Sequence, residues 1–196
     1  MRGRCRTPGA FGFTVVGMLE QEPGDWTPVR TPRLLLCRPE ARDEAAAIDL
    51  HTDPRTNVHH PVPSSVTRAS SSRTFHEIRQ HWYRHGFGVW AVFPADEPGR
   101  LIGFTGVSRR VVRGRPALNL YYRYSPEVWG QGLATEGALE AVRLAEQLLP
   151  GLPVVAYTSV DNIGSQRTAL AAGLERREDL DVDRGAYLDL YLAKGW

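Results

Sequence analysis

The amino-acid sequence predicts a mixed α/β (α+β) domain, and three observations predict it. Apolar or alternating runs of strand length recur along the chain, with segments of helical spacing between them. The turn signal Asp96-Glu97-Pro98-Gly99 separates two such runs and marks an antiparallel hairpin. A long helical segment separates two others, and a helix between neighbouring strands implies parallel pairing.

Residues 1–28 are rich in Gly, Pro and Arg and show no period, which predicts an unstructured tail ahead of a single domain over 29–196. Met18 is a second possible start. Thr31-Pro32-Arg33-Leu34-Leu35-Leu36-Cys37-Arg38-Pro39 reads as a first strand closed by proline. Residues 41–51 carry helix formers. Prolines between Thr52 and Ser65, beside His59-His60, predict a loop. Ser70 to Arg84 repeats as a helix through Phe75, Ile78 and Trp82. Strands are expected at 87–93, 101–108 and 117–124, with a turn between 111 and 116. Leu133 to Leu148 is a helix stopped by Pro150-Gly151. Val154 to Thr158 is a buried strand. Asp161 or Asn162 caps a short helix that ends at Gly173, and Ala186 to Ala193 is a last strand.

Composition excludes several classes. A net charge of +2 in 196 residues gives no bulk signal for nucleic acid. Lys194 is the only lysine. No apolar run reaches the length of a membrane span, so no membrane partner is expected. The two cysteines, Cys5 and Cys37, lack metal spacing; no disulfide is expected, which suits the cytoplasm. Cys37 reads as a buried small hydrophobe. Six histidines lie in the first half without a ligand-set spacing, so they read as solvated and no metal is expected.

The chemistry points to Tyr121–Glu140. A strand ends at Ser125-Pro126, Gly130-Gln131-Gly132 curls the backbone, and a helix opens directly behind it. A helix emerging from such a loop presents unpaired N–H groups that, with its dipole, bind an anion. A plain tight turn also explains the glycines. No P-loop lysine follows, and the glycine spacing misses the dinucleotide fingerprint.

Trp129-Gly130-Gln131-Gly132-Leu133-Ala134-Thr135-Glu136 resembles the acyl-CoA loop of the GNAT superfamily of N-acetyltransferases, most closely its RimJ/RimL-like subgroup. Thr31–Pro39 and Asn162–Leu174 resemble two further segments of that subgroup, in the same order. The resemblance implies a mixed sheet of about six to seven strands flanked by about four helices, splayed to admit acyl-CoA. It implies acetyl transfer from acetyl-CoA to a primary amine, on a peptide N-terminus or a small molecule, in an enzyme that is often a homodimer. The donor would contact Tyr122, Tyr124, Trp129, Gly130, Gln131, Gly132, Leu133, Ala134, Thr135, Asn162 and Ser165. Backbone at Tyr122–Tyr124 would pair with the pantetheine arm, and an N–H near Tyr124 would polarise the thioester. Ser165 is the candidate catalytic donor, or else a helix cap. Arg167 either reaches a phosphate or is solvated, and His59 and His60 are candidates for acceptor contact.

Two positions depart from the family pattern. Ala169 stands where many relatives place a tyrosine acid, and Asn119 where they place a glutamate base. An amide cannot accept a proton at neutral pH. Without a strong base, an α-amine with a pKa of about 7.7–8 is a better acceptor than a lysine near 10.4. The competing reading is an acyl-CoA-binding or sensing module without catalysis.

Overall fold

The computed structural model describes residues 26–196. In chain order the elements are β1 (Val29–Arg30), β2 (Leu34–Cys37), α1 (Glu44–Thr52), α2 (Arg68–His85), β3 (Val89–Pro94), β4 (Gly103–Val112), β5 (Arg115–Tyr124), α3 (Leu133–Leu148), β6 (Val154–Ser159), α4 (Ile163–Ala171), β7 (Glu175–Arg176), β8 (Val182–Asp183) and β9 (Leu188–Lys194). Among the described residues the strands form one 9-stranded sheet in the order β1-β2-β3-β4-β5-β6-β9-β7, with β8 also on β9. The pairs are antiparallel except β5–β6. The six expected strands are all present. The sheet is wider because β1, β7 and β8, each of 2 residues, are too short to show a period.

Local chemistry explains the boundaries. Thr67 caps α2 by accepting the Ser70 N–H, and Gly86 ends it at φ 72°. β4 and β5 meet in a two-residue turn at Arg113 (φ 49°) and Gly114 (φ 78°), so the turn expected across 111–116 is tighter and its flanks are strand. α3 packs across β4 and β5, with Ala138, Ala141 and Val142 against Leu118 and Leu120. On the other face, Phe75 of α2 and Ala47 of α1 cover Phe93 and Phe104.

Trp26 is 2 % exposed and stacks on Phe87 and Trp90, so packed structure begins inside the expected tail; residues 1–25 and Met18 lie outside the described residues. Cys37 is buried as expected but is disulfide-bonded, which corrects the reading of a free thiol. His51 is also buried, and its ring nitrogens are bonded to Ala47 O (2.7 Å) and the Tyr121 hydroxyl (2.9 Å). Tertiary packing, which a lone histidine in a helix cannot announce, withdraws it from solvent. Burial drops its pKa to about 4, so the neutral ring donates from Nδ1 and accepts at Nε2.

One feature positions the site. β5 and β6 pair only at Leu118↔Val154 and Asn119↔Val155. β5 continues to Tyr124, while β6 follows β9 as far as Ser159↔Asp189. The two strands therefore diverge into a wedge.

Candidate active site

The wedge is walled by unpaired backbone. Leu118 N–H donates to Pro153 O on the β6 side (2.8 Å), and Ser125 N–H donates to Ile102 O on the β4 side (2.8 Å). The β4–β5 register is unbroken between them, so backbone direction alternates and the N–H and C=O groups of Tyr122 and Tyr124 face the wedge. The Trp129 indole N–H takes the Tyr124 carbonyl at 2.8 Å, folding the loop back onto the strand end.

At the wide end stands the glycine loop. Gly130 (φ 73°) and Gly132 (φ 74°) are both left-handed, a region that residues with a Cβ enter at a cost. Gly132 opens α3 with no side-chain cap, and the first helical bond is Glu136 N–H to Gly132 O (3.0 Å). The amides of Leu133, Ala134 and Thr135 precede it and have no carbonyl within the helix to serve them. This is the geometry of an anion cradle.

The loop is clamped from the far end of the sequence. Glu136 accepts from Thr31 Oγ1 (2.6 Å), Arg33 N (2.9 Å) and Arg33 Nε (2.6 Å), while Arg33 Nη1 donates to Gln131 O (2.7 Å). Burial raises the Glu136 pKa, but the Thr31 and Arg33 bonds outweigh it and hold the carboxyl below its ordinary value. Glu136 is thus a structural anion, committed through three accepted hydrogen bonds to bracing the loop.

A cavity of about 600 Å³ fills the wedge and reaches the loop. Its wall includes Tyr122, Tyr124, Trp129, Gly130, Gly132, Leu133, Ala134, Thr135, Asn162 and Ser165, so nearly all the residues expected at the donor site are brought together. Gln131 is not on this wall; its side chain turns to Glu127 O (3.3 Å). The Tyr124 ring is in the core, 5 % exposed, leaving its backbone to face the wedge. Asn162 Oδ1 accepts the Ser165 N–H at 3.0 Å and caps α4.

Tyr122 reaches across the wedge. Its hydroxyl lies 2.8 Å from Ser165 O and 3.0 Å from Ser165 Oγ. Burial raises its pKa and the Ser165 bond opposes that rise, so the phenol stays protonated. A protonated hydroxyl pair in a half-buried wedge is chemically able to supply a proton to a leaving group.

The acetyltransferase (GNAT) domain family matches residues 33–175, more than half of the chain. The chain belongs to the GNAT acetyltransferase family. GNAT enzymes are acyltransferases that take the acyl group from acetyl-CoA. A curated relative, FsC-acetyl coenzyme A-N(2)-transacetylase of Aspergillus fumigatus, is 31% identical over 99 residues, covering 47% of this chain and 41% of that protein. The GNAT chain thus spans less than half the length of this relative. An acetyltransferase structure from Agrobacterium tumefaciens superposes with a TM-score of 0.72 at 22% identity, covering 92% of this chain and 99% of that one. RimJ of Mycobacterium smegmatis, in complex with CoA-disulfide, superposes with a TM-score of 0.61 at 16% identity, covering 82% and 81%. The likeness to RimJ is one of fold.

Against this GNAT frame the two departures are concrete. Among the described residues Asn119 Oδ1 is buried without a hydrogen-bond partner, and Ala169 is 1 % exposed on the buried face of α4. His59 is on the cavity wall and pairs with Asp161 Oδ2 at 3.0 Å, while His60 is off it and accepts the Val62 N–H. Sequence reasoning did not find the side-chain roles of Tyr122, Arg55 and Arg123. For Tyr122 and Arg123 the available signal was a phenol and an arginine in the strand that feeds the glycine loop; Arg55, in the Pro54–Asn57 turn, carried none.

Among the described residues no helix is long and apolar enough to cross a membrane, and no group of three metal-ligating side chains occurs.

Proposed function

We propose that this GNAT protein transfers the acetyl group of acetyl-CoA to a primary amine, preferring an amine of low pKa such as a peptide N-terminal α-amine. The observation that carries the proposal is the wedge with an uncapped helix end at its wide mouth and the Tyr122–Ser165 hydroxyl pair inside it. The residues fit this donor: loop amides for the diphosphate, backbone of Tyr122 and Tyr124 for the pantetheine, and the Asn162 Nδ2 donors for an amide carbonyl.

The reaction forms one C–N bond and breaks one C–S bond. The amine nitrogen attacks the thioester carbonyl, whose oxygen gathers charge near the Tyr124 N–H. The sulfur leaves and takes a proton from the hydroxyl pair of Tyr122 and Ser165, which solvent then restores. The nitrogen gives its proton to water, because Asn119 cannot accept one and Glu136 is engaged in the clamp. An enzyme built this way depends on an acceptor that is already partly neutral. The relative's printed name, an acetyl coenzyme A N(2)-transacetylase, supports nitrogen as the acceptor atom. A reaction consuming acetyl-CoA supports a cytoplasmic location.

The test measures release of CoA thiol with a peptide offering a free N-terminus and no lysine, and with its N-blocked counterpart carrying one lysine. A kcat/KM at least tenfold higher for the α-amine is expected, since a pKa lower by about two units gives about a hundredfold more neutral amine near pH 7, offset in part by its weaker nucleophilicity. Faster turnover of the lysine peptide refutes the preference.

A further inference from the structure

Arg123 alternates with Tyr122 and Tyr124 along β5, so its side chain leaves the opposite face of the strand. On that face Nη1 donates to Asn57 Oδ1 (2.9 Å), Thr56 Oγ1 (3.0 Å) and Thr56 O (3.3 Å). All three acceptors are neutral. Nε and Nη2 make no hydrogen bond or ion pair among the described residues. The contrast is Arg55, which Asp53 Oδ2 (2.6 Å) and Glu127 Oε1 (2.7 Å) neutralise.

Arg123 is half-buried and belongs to the cavity wall. Withdrawing a guanidinium from water without a counter-charge costs folding energy. Thr56 and Asn57 aim the group but leave its charge uncompensated. The same wall carries Arg167 and no Asp or Glu, while the Arg55 charge on it is offset by Asp53 and Glu127. Its field favours anions and disfavours polycations.

The diphosphate does not explain Arg123. The loop amides belong to α3, which packs on the Tyr122–Tyr124 face of β5, whereas Arg123 faces the Thr56–Asn57 segment. The free Nε and Nη2 edge is a planar fork of the shape that a carboxylate fills with two bonds.

We propose that Arg123 is a specificity residue that binds a carboxylate of the acceptor, close to the reacting amine. The acceptor class is then an amino acid, or a peptide whose N-terminus is followed by an acidic side chain. This deepens the transferase reading above and rests on it.

The experiment measures kcat/KM, corrected for the fraction of each acceptor whose amine is neutral, with pairs that differ in one carboxylate: leucine against leucinamide, and the peptide amide Ala-Glu-Phe against Ala-Gln-Phe. Spermidine serves as the polycation. In at least one pair the carboxylate member is favoured at least tenfold, and Arg123→Met brings that ratio close to one while Arg123→Lys retains part of it. The favoured pair tells a free amino acid from a peptide. Equal rates within both pairs, or spermidine as the best acceptor, overturn the carboxylate site and leave the transferase standing.

A binding measurement separates the two claims. Calorimetry follows N-acetyl-leucine and its amide binding to the CoA-loaded protein. If no amine turns over but the acid binds at least tenfold tighter than the amide, and Arg123→Met abolishes the difference, the transferase reading fails and the carboxylate site holds. Absence of both turnover and charge-dependent binding refutes the site. Circular dichroism checks the fold, and Arg123→Gln replaces the methionine variant if that one does not fold.

Discussion

The Tyr122 hydroxyl and Ser165 Oγ stand 3.0 Å apart, a bond between residues 43 positions apart in sequence. It ties the free end of β5 to the first turn of α4 across the cavity. Ser165 N–H is meanwhile held by Asn162 Oδ1 at 3.0 Å, so the serine is fixed through its backbone and its side chain together. Each hydroxyl orients the other.

Tyr122→Phe is expected to lower kcat about 100-fold, the ordinary worth of a positioned proton donor. Ser165→Ala removes the partner, and the double variant is expected to lose much less than the product of the single losses. Steady-state thiol release checks this. Independent, multiplying effects would show that the two hydroxyls do not act as one unit.

Asn162 joins capping and ligand contact in one side chain, and two substitutions separate them. Asn162→Ala loses the α4 cap, at about 1 kcal/mol, and raises KM for acetyl-CoA. Asn162→Asp keeps a capping oxygen but loses the Nδ2 donors. It is expected to melt near the wild-type temperature while KM rises about tenfold, one hydrogen bond's worth. An unchanged KM in the aspartate variant would make the residue a cap alone.

The Glu136 clamp should be visible in acid. Its folded pKa is depressed, so its stabilisation is present above the unfolded value of about 4.3 and lost as the pH falls through the lower folded value. Glu136→Gln is expected to cost about 2 kcal/mol at neutral pH, the scale of charged hydrogen bonds on a carboxylate whose side chain is 15% exposed. The gap between wild type and variant should close below the folded pKa. Thermal melts at neutral, weakly acid and strongly acid pH read this; a constant gap would show that charge is not what holds the loop.

Gly137 is where α3 touches the sheet. A Cβ there would collide with the Tyr124 hydroxyl and lie 2.8 Å from Thr105 Cγ2. Gly137→Ala is therefore expected to destabilise by about 1–3 kcal/mol through overpacking, despite alanine's better helix propensity. Tyr124→Phe removes a buried hydroxyl that lies beside Thr105 and frees space beside the new methyl. Adding it to the alanine variant should recover much of the loss in a denaturant titration.

The local parts of this architecture were legible in the sequence, and the long-range ones were not. Gly130 and Gly132 announced their turn because only backbone freedom explains them there, and Asn162 announced a cap at the expected place. The role of Thr31 and Arg33 was hidden, since their partner Glu136 lies more than a hundred residues on. The six expected strands followed from period, whereas the divergence of β5 from β6 depends on which neighbour each strand prefers, and no local window records that. His51 read as a solvated histidine because its burial under Phe104 and Tyr121 arises only once α1 lies on the sheet.

The bracing of Gln131 and Glu136 by Arg33 has a consequence for synthesis on the ribosome. Arg33 is made 103 residues before Glu136. At about 5–20 residues per second, the arginine leaves the exit tunnel roughly 5 to 20 s ahead of its partner. During that interval β2 can pair with its neighbours, but the anion cradle has no shape. A nascent chain halted ahead of α3 would therefore hold most of its sheet and yet be blind to coenzyme.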